Sequence, residues 1–282
     1  MHRAAKETLK LETDLRRAIE NDDLRIFYQP IISLVNGDVE GFEALVRWTH
    51  PELGEVSPIK FVSVAEEIGL IDALGEKVLS RACREFSALQ DSLDSRHLYL
   101  SANLSWKQFA NPALVERIQI ILGETGFSPR SLKLEITESV FFEYQQNAID
   151  MLKHLREMGI ELNIDDFGTG YSNLSYLASL PISSLKIDRT FISMFDQTGS
   201  NPAIAQTIIL LARNLGLTVV AEGVETAFQY EELKRLGCDA AQGYFLAKPM
   251  PLNEIADYLE LSSFARLGVS EEFTDQRIET VQ

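Results

Sequence analysis

Two adjacent acids and the glycine-containing stretch that follows them, Asp165-Asp166-Phe167-Gly168-Thr169-Gly170, have the most evident chemical potential in this 282-residue chain. They follow Ile160-Glu161-Leu162-Asn163-Ile164, whose apolar–polar alternation predicts a strand. Side chains on a strand point alternately to opposite faces. Two neighbouring carboxylates therefore serve one site only where that alternation relaxes. This places Asp166 past the strand end, with Gly168 and Gly170 supplying the turn. Taken alone, an Asp-Asp turn is ordinary solvated surface. Related residues recur, however: Glu43, Asn103, Glu135, Lys186, Glu222 and Gln242 each stand at or near the C-terminal end of a predicted strand. Solvated surface does not deliver one carboxylate, amide or amine from nearly every strand. A carboxylate inside an apolar strand, as Glu43 is, is costly unless it is paired or metal-bound.

The elements between these residues must bring them together. Residues 3–20 predict a helix closed by Asn21-Asp22-Asp23. Leu24–Leu34 and Val39–Trp48 predict the arms of a hairpin around Asn36-Gly37, a strong two-residue turn signal. Pro30 removes a ladder donor and belongs at an edge or a bulge. Residues 51–58 are expected to be loop. Strand and helix then alternate to about Leu259, and Gly126, Gly159, Gly216 and Gly237 stand where helices should close. Short strands are expected around 97–101, 132–136, 184–188, 217–223 and 240–245, and a short helix over 173–180. This repeat predicts a TIM-like (β/α)8 barrel with one antiparallel strand at the N-terminal hairpin. No Gly-x-Gly-x-x-Gly turn opens the chain, which weighs against a doubly wound open sheet. In a barrel, reactive groups sit where strands end and βα loops begin.

Composition narrows the function. Lys and Arg number 26 against 42 Asp and Glu, a formal charge of −16. Such a surface does not coat polymeric nucleic acid. It still admits an anionic small ligand if bound cations reverse the local sign. Cys83 and Cys238 lack metal-motif neighbours and are expected to be buried free thiols in a reducing compartment. The histidines show no paired spacing, so a zinc hydrolase is disfavoured. No apolar run reaches the ~20 residues that span a bilayer.

The ordered set of motifs resembles the EAL domain, the family of cyclic di-GMP phosphodiesterases. The resemblance covers about residues 24–260. It rests on Tyr28-Gln29-Pro30, Glu43-Ala44-Leu45 with Arg47-Trp48, Asn103-Leu104-Ser105, Glu135-Ile136-Thr137-Glu138 and Asp165–Gly170. It continues through Lys186-Ile187-Asp188, Glu222-Gly223-Val224-Glu225-Thr226 and Gln242-Gly243-Tyr244. The resemblance implies hydrolysis of cyclic di-GMP to linear pGpG by a water activated between two Mg2+ or Mn2+ ions, with Ca2+ inhibiting. It implies that Glu43, Asn103, Glu135 and Asp165 hold one ion, and that Asp165 is shared with a second ion held by Asp166 and Glu222. Oxygen ligands suit these hard cations. Lys186, Glu222 and Gln242 would handle the water or the phosphate. Gln29 and Arg47 would contact the substrate, and Arg47 offers the planar fork that suits a phosphate or a guanine edge. Glu138 would prop the glycine loop.

The resemblance further implies a homodimer through the region after Asp165-Asp166, an upstream sensor or cyclase domain, and a cytoplasmic location. Residues 1–22 are expected to be a linker or signalling helix, 23–262 the barrel and 263–282 a polar tail. A non-catalytic cyclic di-GMP receptor on the same barrel is the alternative.

Overall fold

Each strand of the sheet reads apolar on one face and polar or small on the other, and the architecture follows from which face points inward. The computed structural model describes residues 2–92, 97–137, 145–168, 177–195 and 202–266. A first helix, α1 (His2–Glu20), precedes the hairpin β1 (Leu24–Ser33) and β2 (Val39–His50), to which β3 (Gly54–Val56) adds. Helices α2 (Pro58–Glu67) and α3 (Ile71–Ser92) follow. Next come β4 (Tyr99–Leu104), α4 (Leu114–Thr125), β5 (Leu132–Thr137), α5 (Gln145–Glu157) and β6 (Glu161–Phe167). The chain continues through β7 (Ser184–Ile187), α6 (Arg189–Ser193), α7 (Ala203–Leu215), β8 (Thr218–Ala221) and α8 (Ala227–Leu236). It ends with β9 (Ala240–Ala241), β10 (Met250–Pro251) and α9 (Leu252–Arg266).

Among the described residues the strand order is β10-β1-β9-β8-β7-β6-β5-β4-β2-β3, and β1 also pairs with β2. That last pairing closes a ring of eight strands. β1 is antiparallel to both of its barrel neighbours, β2 and β9, and the remaining pairs around the ring are parallel. The fold is therefore the expected α/β barrel with one reversed strand. Pro30 lies in the stretch of β1 between its short pairings with β10 and β9, beside a bulge at Ile31/Ile32.

Leu100, Leu132, Leu134, Ile136, Leu162, Ile164, Leu185 and Ile187 face outward and are buried beneath the helices in one large apolar cluster. By alternation, Ser101, Asn103, Glu135, Asn163, Asp165 and Lys186 face the barrel interior. A small apolar plug of Ile31, Val220 and Ala240, packed by Tyr99, lies inside. Gly41 is required there, because a Cβ would sit 2.4 Å from the Tyr99 carbonyl. Cys83 and Cys238 are buried and free.

A second core forms outside the barrel. Leu11, Leu15, Ala18 and Ile19 of α1 pack with Trp48, Val56, Phe61, Val64 and Ala65. His50 donates or accepts at Asp14 Oδ2 across 3.1 Å, and its Nδ1 accepts from the backbone N–H groups of Glu52 and Leu53. With Nδ1 accepting, the ring proton sits on Nε2, which makes His50 the donor to Asp14. β3 was not legible as a strand within the expected 51–58 loop. It exists because β2 runs past the barrel rim and offers Trp48–His50 as an edge to pair with.

Several expectations fall outside the described residues: Glu138, the loop from 169, residues 173–176 of the short helix expected over 173–180, and residues 267–282 of the tail expected from 263, whose first four residues instead continue α9. Leu15 is fully buried in the second core, so Leu15→Ala is expected to cost about 2–5 kcal/mol of stability. Denaturant unfolding measures this, and an unchanged midpoint would mean that α1 is not docked as described.

Candidate active site

The inward residues of the strands meet near the C-terminal ends of the parallel strands. Asn103 and Glu135 are paired in register, as are Glu43 and Ser101 on the neighbouring pair of strands. Lys186, one residue from the end of β7, reaches across this ring. Its ammonium lies 2.6 Å from Glu135 Oε2, 3.4 Å from Glu43 Oε2 and 3.5 Å from Asp165 Oδ1, and it also pairs with Glu222 Oε1. Lys186 is 1% exposed.

Asp165 and Asp166 reach the site differently from the sequence expectation. The strand does not end before Asp166 but runs to Phe167. The register with β7 slips instead. Ile164 is opposite Leu185 and Phe167 opposite Ile187, so both acids lie against Lys186. This is a β-bulge, which re-aims a side chain at the cost of local twist. Asp166 adopts φ 53°, the left-handed region. Aspartate tolerates it better than most residues, because its short side chain bonds locally. Its backbone N–H donates to Asp165 Oδ1 at 3.0 Å.

Hydrogen bonds fix the two buried glutamates. Glu43 Oε1 accepts from Asn103 Nδ2 at 2.7 Å, and its Oε2 accepts from Gln242 Nε2 at 2.7 Å. Glu135 Oε1 accepts from Ser101 Oγ at 2.6 Å. Gln242 Nε2 also donates to Gln29 Oε1 at 2.9 Å, while Gln29 Nε2 donates to the Ala247 carbonyl at 3.0 Å. Both ends of the Gln29 amide are thus engaged within the protein. Gln242 follows β9 directly. The strand expected to run to Phe245 stops at Ala241; Gly243 packs so closely on Val224 that a Cβ there would lie 2.1 Å from the Val224 carbonyl. Arg47 sits four residues beyond Glu43 on the same face of β2, over the Phe27 ring at 5.9 Å.

The charges interact strongly. Burial alone would push Glu43 up, but the Lys186 ammonium and the Gln242 and Asn103 bonds outweigh it and hold its carboxyl below the usual range. Burial pushes Glu135 well above that range; Lys186 opposes this, and the neighbouring acids add to it. Burial and the adjacent carboxylates raise Glu222 to about 8 against the pull of Lys186. Asp166 rises to about 6 through burial and its neighbours Asp165 and Asp188. Lys186 itself is held well above its ordinary value, because the four carboxylates outweigh its desolvation.

Asp165, Asp166 and Glu222 each offer a carboxylate oxygen, all within 4.8 Å of one another. Gln242 Oε1 is buried with no donor among the described residues. An all-oxygen donor set with an open acceptor beside it fits a hard divalent cation. Two polar neighbours were not singled out from sequence. Ser101 stands two residues before Asn103 on the same face, and strand alternation was the available signal. Asp188 shares a hydrogen bond with Asp166 and caps α6 by accepting from the Thr190 N–H at 3.0 Å. It stands two residues after Lys186, already past the end of the strand.

Comparison with known proteins agrees with this geometry. The family model described as "EAL domain" matches residues 12–249. The chain is 40% identical over 260 residues to the Cyclic di-GMP phosphodiesterase NbdA of Pseudomonas aeruginosa, covering 92% of this chain and 33% of that protein. It is 43% identical over 257 residues to the Bifunctional diguanylate cyclase/cyclic di-GMP phosphodiesterase MucR of the same organism, covering 90% and 37%. The chain thus spans about a third of the length of these curated relatives. A solved structure described as "PaMucR Phosphodiesterase, c-di-GMP complex" superposes with a TM-score of 0.83 at 43% identity, over 87% of this chain and 99% of that one. The chain belongs to the EAL domain family.

Proposed function

We propose that this protein hydrolyses one phosphodiester bond of cyclic di-GMP, giving linear pGpG, with two Mg2+ or Mn2+ ions. The observation that carries this reading is the convergence of Glu43, Glu135, Asp165 and Glu222 on Lys186. It occurs in a chain whose relatives at 40% and 43% identity are named cyclic di-GMP phosphodiesterases. Glu43, Asn103, Glu135 and Asp165 would hold one ion; Asp165, Asp166 and Glu222 would hold the other. When bound, such ions polarise the phosphate and make a bound water acidic.

The chain's own groups orient the rest. Water oxygen bonds to phosphorus, the bond from phosphorus to the 3′-oxygen breaks, and that oxygen takes a proton from solvent. Glu222 stands beside Asp165 and Asp166, where its carboxylate would hold the second ion or accept the water's proton. Lys186 has its ammonium fixed by four acids and donates to a phosphate oxygen or to the water. Gln242 Oε1 offers an acceptor that orients that water. Arg47, further along the same strand face, suits a guanine edge or the second phosphate. Gln29 acts by holding Gln242, and would contact a base by exchanging its bond to the Ala247 carbonyl. Glu138 would prop the glycine loop.

The same reading has the barrel pairing as a homodimer through the region after Asp165-Asp166 and working in the cytoplasm. No described helix is long and apolar enough to cross a membrane. The greater length of the relatives, and the cyclase in the name of one, support control by an attached sensor or cyclase domain.

Purified protein with Mg2+ or Mn2+ is expected to convert cyclic di-GMP to pGpG on reversed-phase chromatography, whereas Ca2+ supports binding without turnover. Losing even a supporting partner of a metal ligand typically costs 10–100-fold, so Glu43→Ala is expected to lower kcat by about 100-fold or more. Intact dinucleotide after long incubation of the wild-type protein with Mg2+ would leave the receptor reading in its place.

The raised carboxyls also give a pH signature. Glu222 rises from an ordinary 4.5 to about 8, and Asp166 from 3.8 to about 6. Between those limits the unfolded chain has released protons that the native chain still holds, so stability falls as pH rises. The metal-free melting temperature is expected to drop between pH 6 and 8, where Glu222 dominates. Millimolar Mg2+ should abolish the drop by binding the charged carboxylates of the native state. A Mg2+-independent profile over this range counts against the metal site.

A further inference from the structure

Ser101 is fully buried, yet its hydroxyl has a specific task. Its Oγ lies 2.6 Å from Glu135 Oε1, while Lys186 holds Glu135 Oε2 at 2.6 Å. The Ser101 hydroxyl donates to this carboxyl oxygen. The two oxygens of Glu135 are thereby told apart: Oε1 is committed to β4, and Oε2 faces the centre of the site.

The contrast with Glu43 sharpens the point. The side chains bonded to Glu43 are Asn103, Gln242 and Lys186, all members of the proposed catalytic set. Glu135 depends on a residue outside that set. Its place on β5 opposite Asn103 also brings it near Glu43, Asp165 and Glu222, which repel it. Without the Ser101 bond, its carboxylate is held by Lys186 at Oε2 and Oε1 loses its hydroxyl anchor on β4.

We propose that Ser101 is a positioning residue that presets Glu135 to present one oxygen to a divalent cation. This rests on the metal-dependent reading above. A hydroxyl that merely fills space would be indifferent to metal, whereas a positioning hydroxyl acts on metal affinity before any turnover occurs. Ser184 provides a matched control. It is equally buried, lies in the strand next to Asn163, and its Oγ has no partner among the described residues.

The experiment titrates Mg2+ and Mn2+ into metal-free wild type, Ser101→Ala, Ser101→Cys, Ser101→Thr and Ser184→Ala. Binding is read by calorimetry and by the shift in melting temperature, with kcat and KM for cyclic di-GMP at saturating metal. Loss of a supporting hydrogen bond on a metal ligand is expected to raise the metal midpoint about tenfold in Ser101→Ala. Ser101→Thr should restore it to within about threefold, Ser101→Cys should fall between, and Ser184→Ala should match wild type. KM at saturating metal should stay unchanged. A Ser101→Ala midpoint equal to that of Ser184→Ala, with only the metal-free melting temperature altered, overturns the proposal. If Ser101→Ala does not fold, a Ser101→Cys midpoint equal to wild type overturns it. A flat wild-type titration removes the metal reading itself and the role of Ser101 with it, an outcome distinct from a failure of Ser101 alone.

Discussion

One buried ammonium ringed by carboxylates is the constraint on which the architecture depends. Lys186 touches acids carried by β2, β5 and β6 and by the residue after β8. Strands lie roughly 4.8 Å apart in a sheet. Four strand steps separate β7 from β2 along the ladder, so in an open sheet Lys186 and Glu43 would stand about 19 Å apart. They lie 3.4 Å apart because the β1–β2 pairing closes the ring. A single cation does not neutralise four surrounding acids, and the arrangement persists only because the barrel fixes it. Glu135 and Glu222 accordingly have their carboxyls raised, since burial and the neighbouring acids disfavour their charged forms. Stored repulsion of this kind is typical of functional sites and is sustained by structure elsewhere.

The fold was legible because two periodicities compete cleanly along this chain. Alternating stretches such as Leu132–Ile136 and Ile160–Ile164 read as strands, and the helices between them close at Gly126, Gly216 and Gly237, all in the left-handed conformation. The polar residues at strand ends were legible for the same reason, since an inward carboxylate interrupts an apolar run. Where the reading failed, non-local geometry decided. Asp166 was placed beyond the strand because alternation forbids adjacent residues from sharing a face; the bulge against β7 removes that prohibition and leaves no mark in local sequence. β3 exists only because an overhanging β2 offers it an edge. Gln242 reads as mid-strand, but the strand stops one residue before it, at Ala241. Ser101 is invisible as chemistry until Glu135 is known to lie beside it.

The second core bears on how the site is held. α1 packs against α2, and α2 ends at Glu66 and Glu67. The Glu66 carboxylate accepts from Ser105 Oγ at 2.6 Å, and its carbonyl accepts from Lys107 Nζ at 3.1 Å. Ser105 follows Asn103 by two residues, at the point where β4 gives way to a short helical turn whose start it caps. A continuous set of packed and hydrogen-bonded contacts therefore runs from α1 to a residue that bonds Glu43. His50 anchors the far end by bonding Asp14 through the nitrogen opposite the one held by the β2–β3 turn. The registry of α1 is thus specified by a buried polar contact as well as by apolar packing, which tolerates sliding more readily.

Stability and chemistry are segregated by face. The outward side chains of the strands, among them Leu132, Leu134, Ile164 and Leu185, are buried in the large cluster under the helices and supply the hydrophobic term. Many of the inward side chains are polar, and a small apolar plug forms around Val220. Buried unpaired polar atoms carry a cost. Asn163 Oδ1, Ser184 Oγ and Gln242 Oε1 all lie on this inner face, and none has a hydrogen-bond partner among the described residues. A barrel optimised for stability alone would fill that interior with branched apolar side chains. Here the outer shell sustains an interior that is more polar and more charged than stability requires. That surplus lets strand ends present carboxylates at fixed separations, and the same alternation that sends Leu134 and Ile136 to the core sends Glu135 to the site.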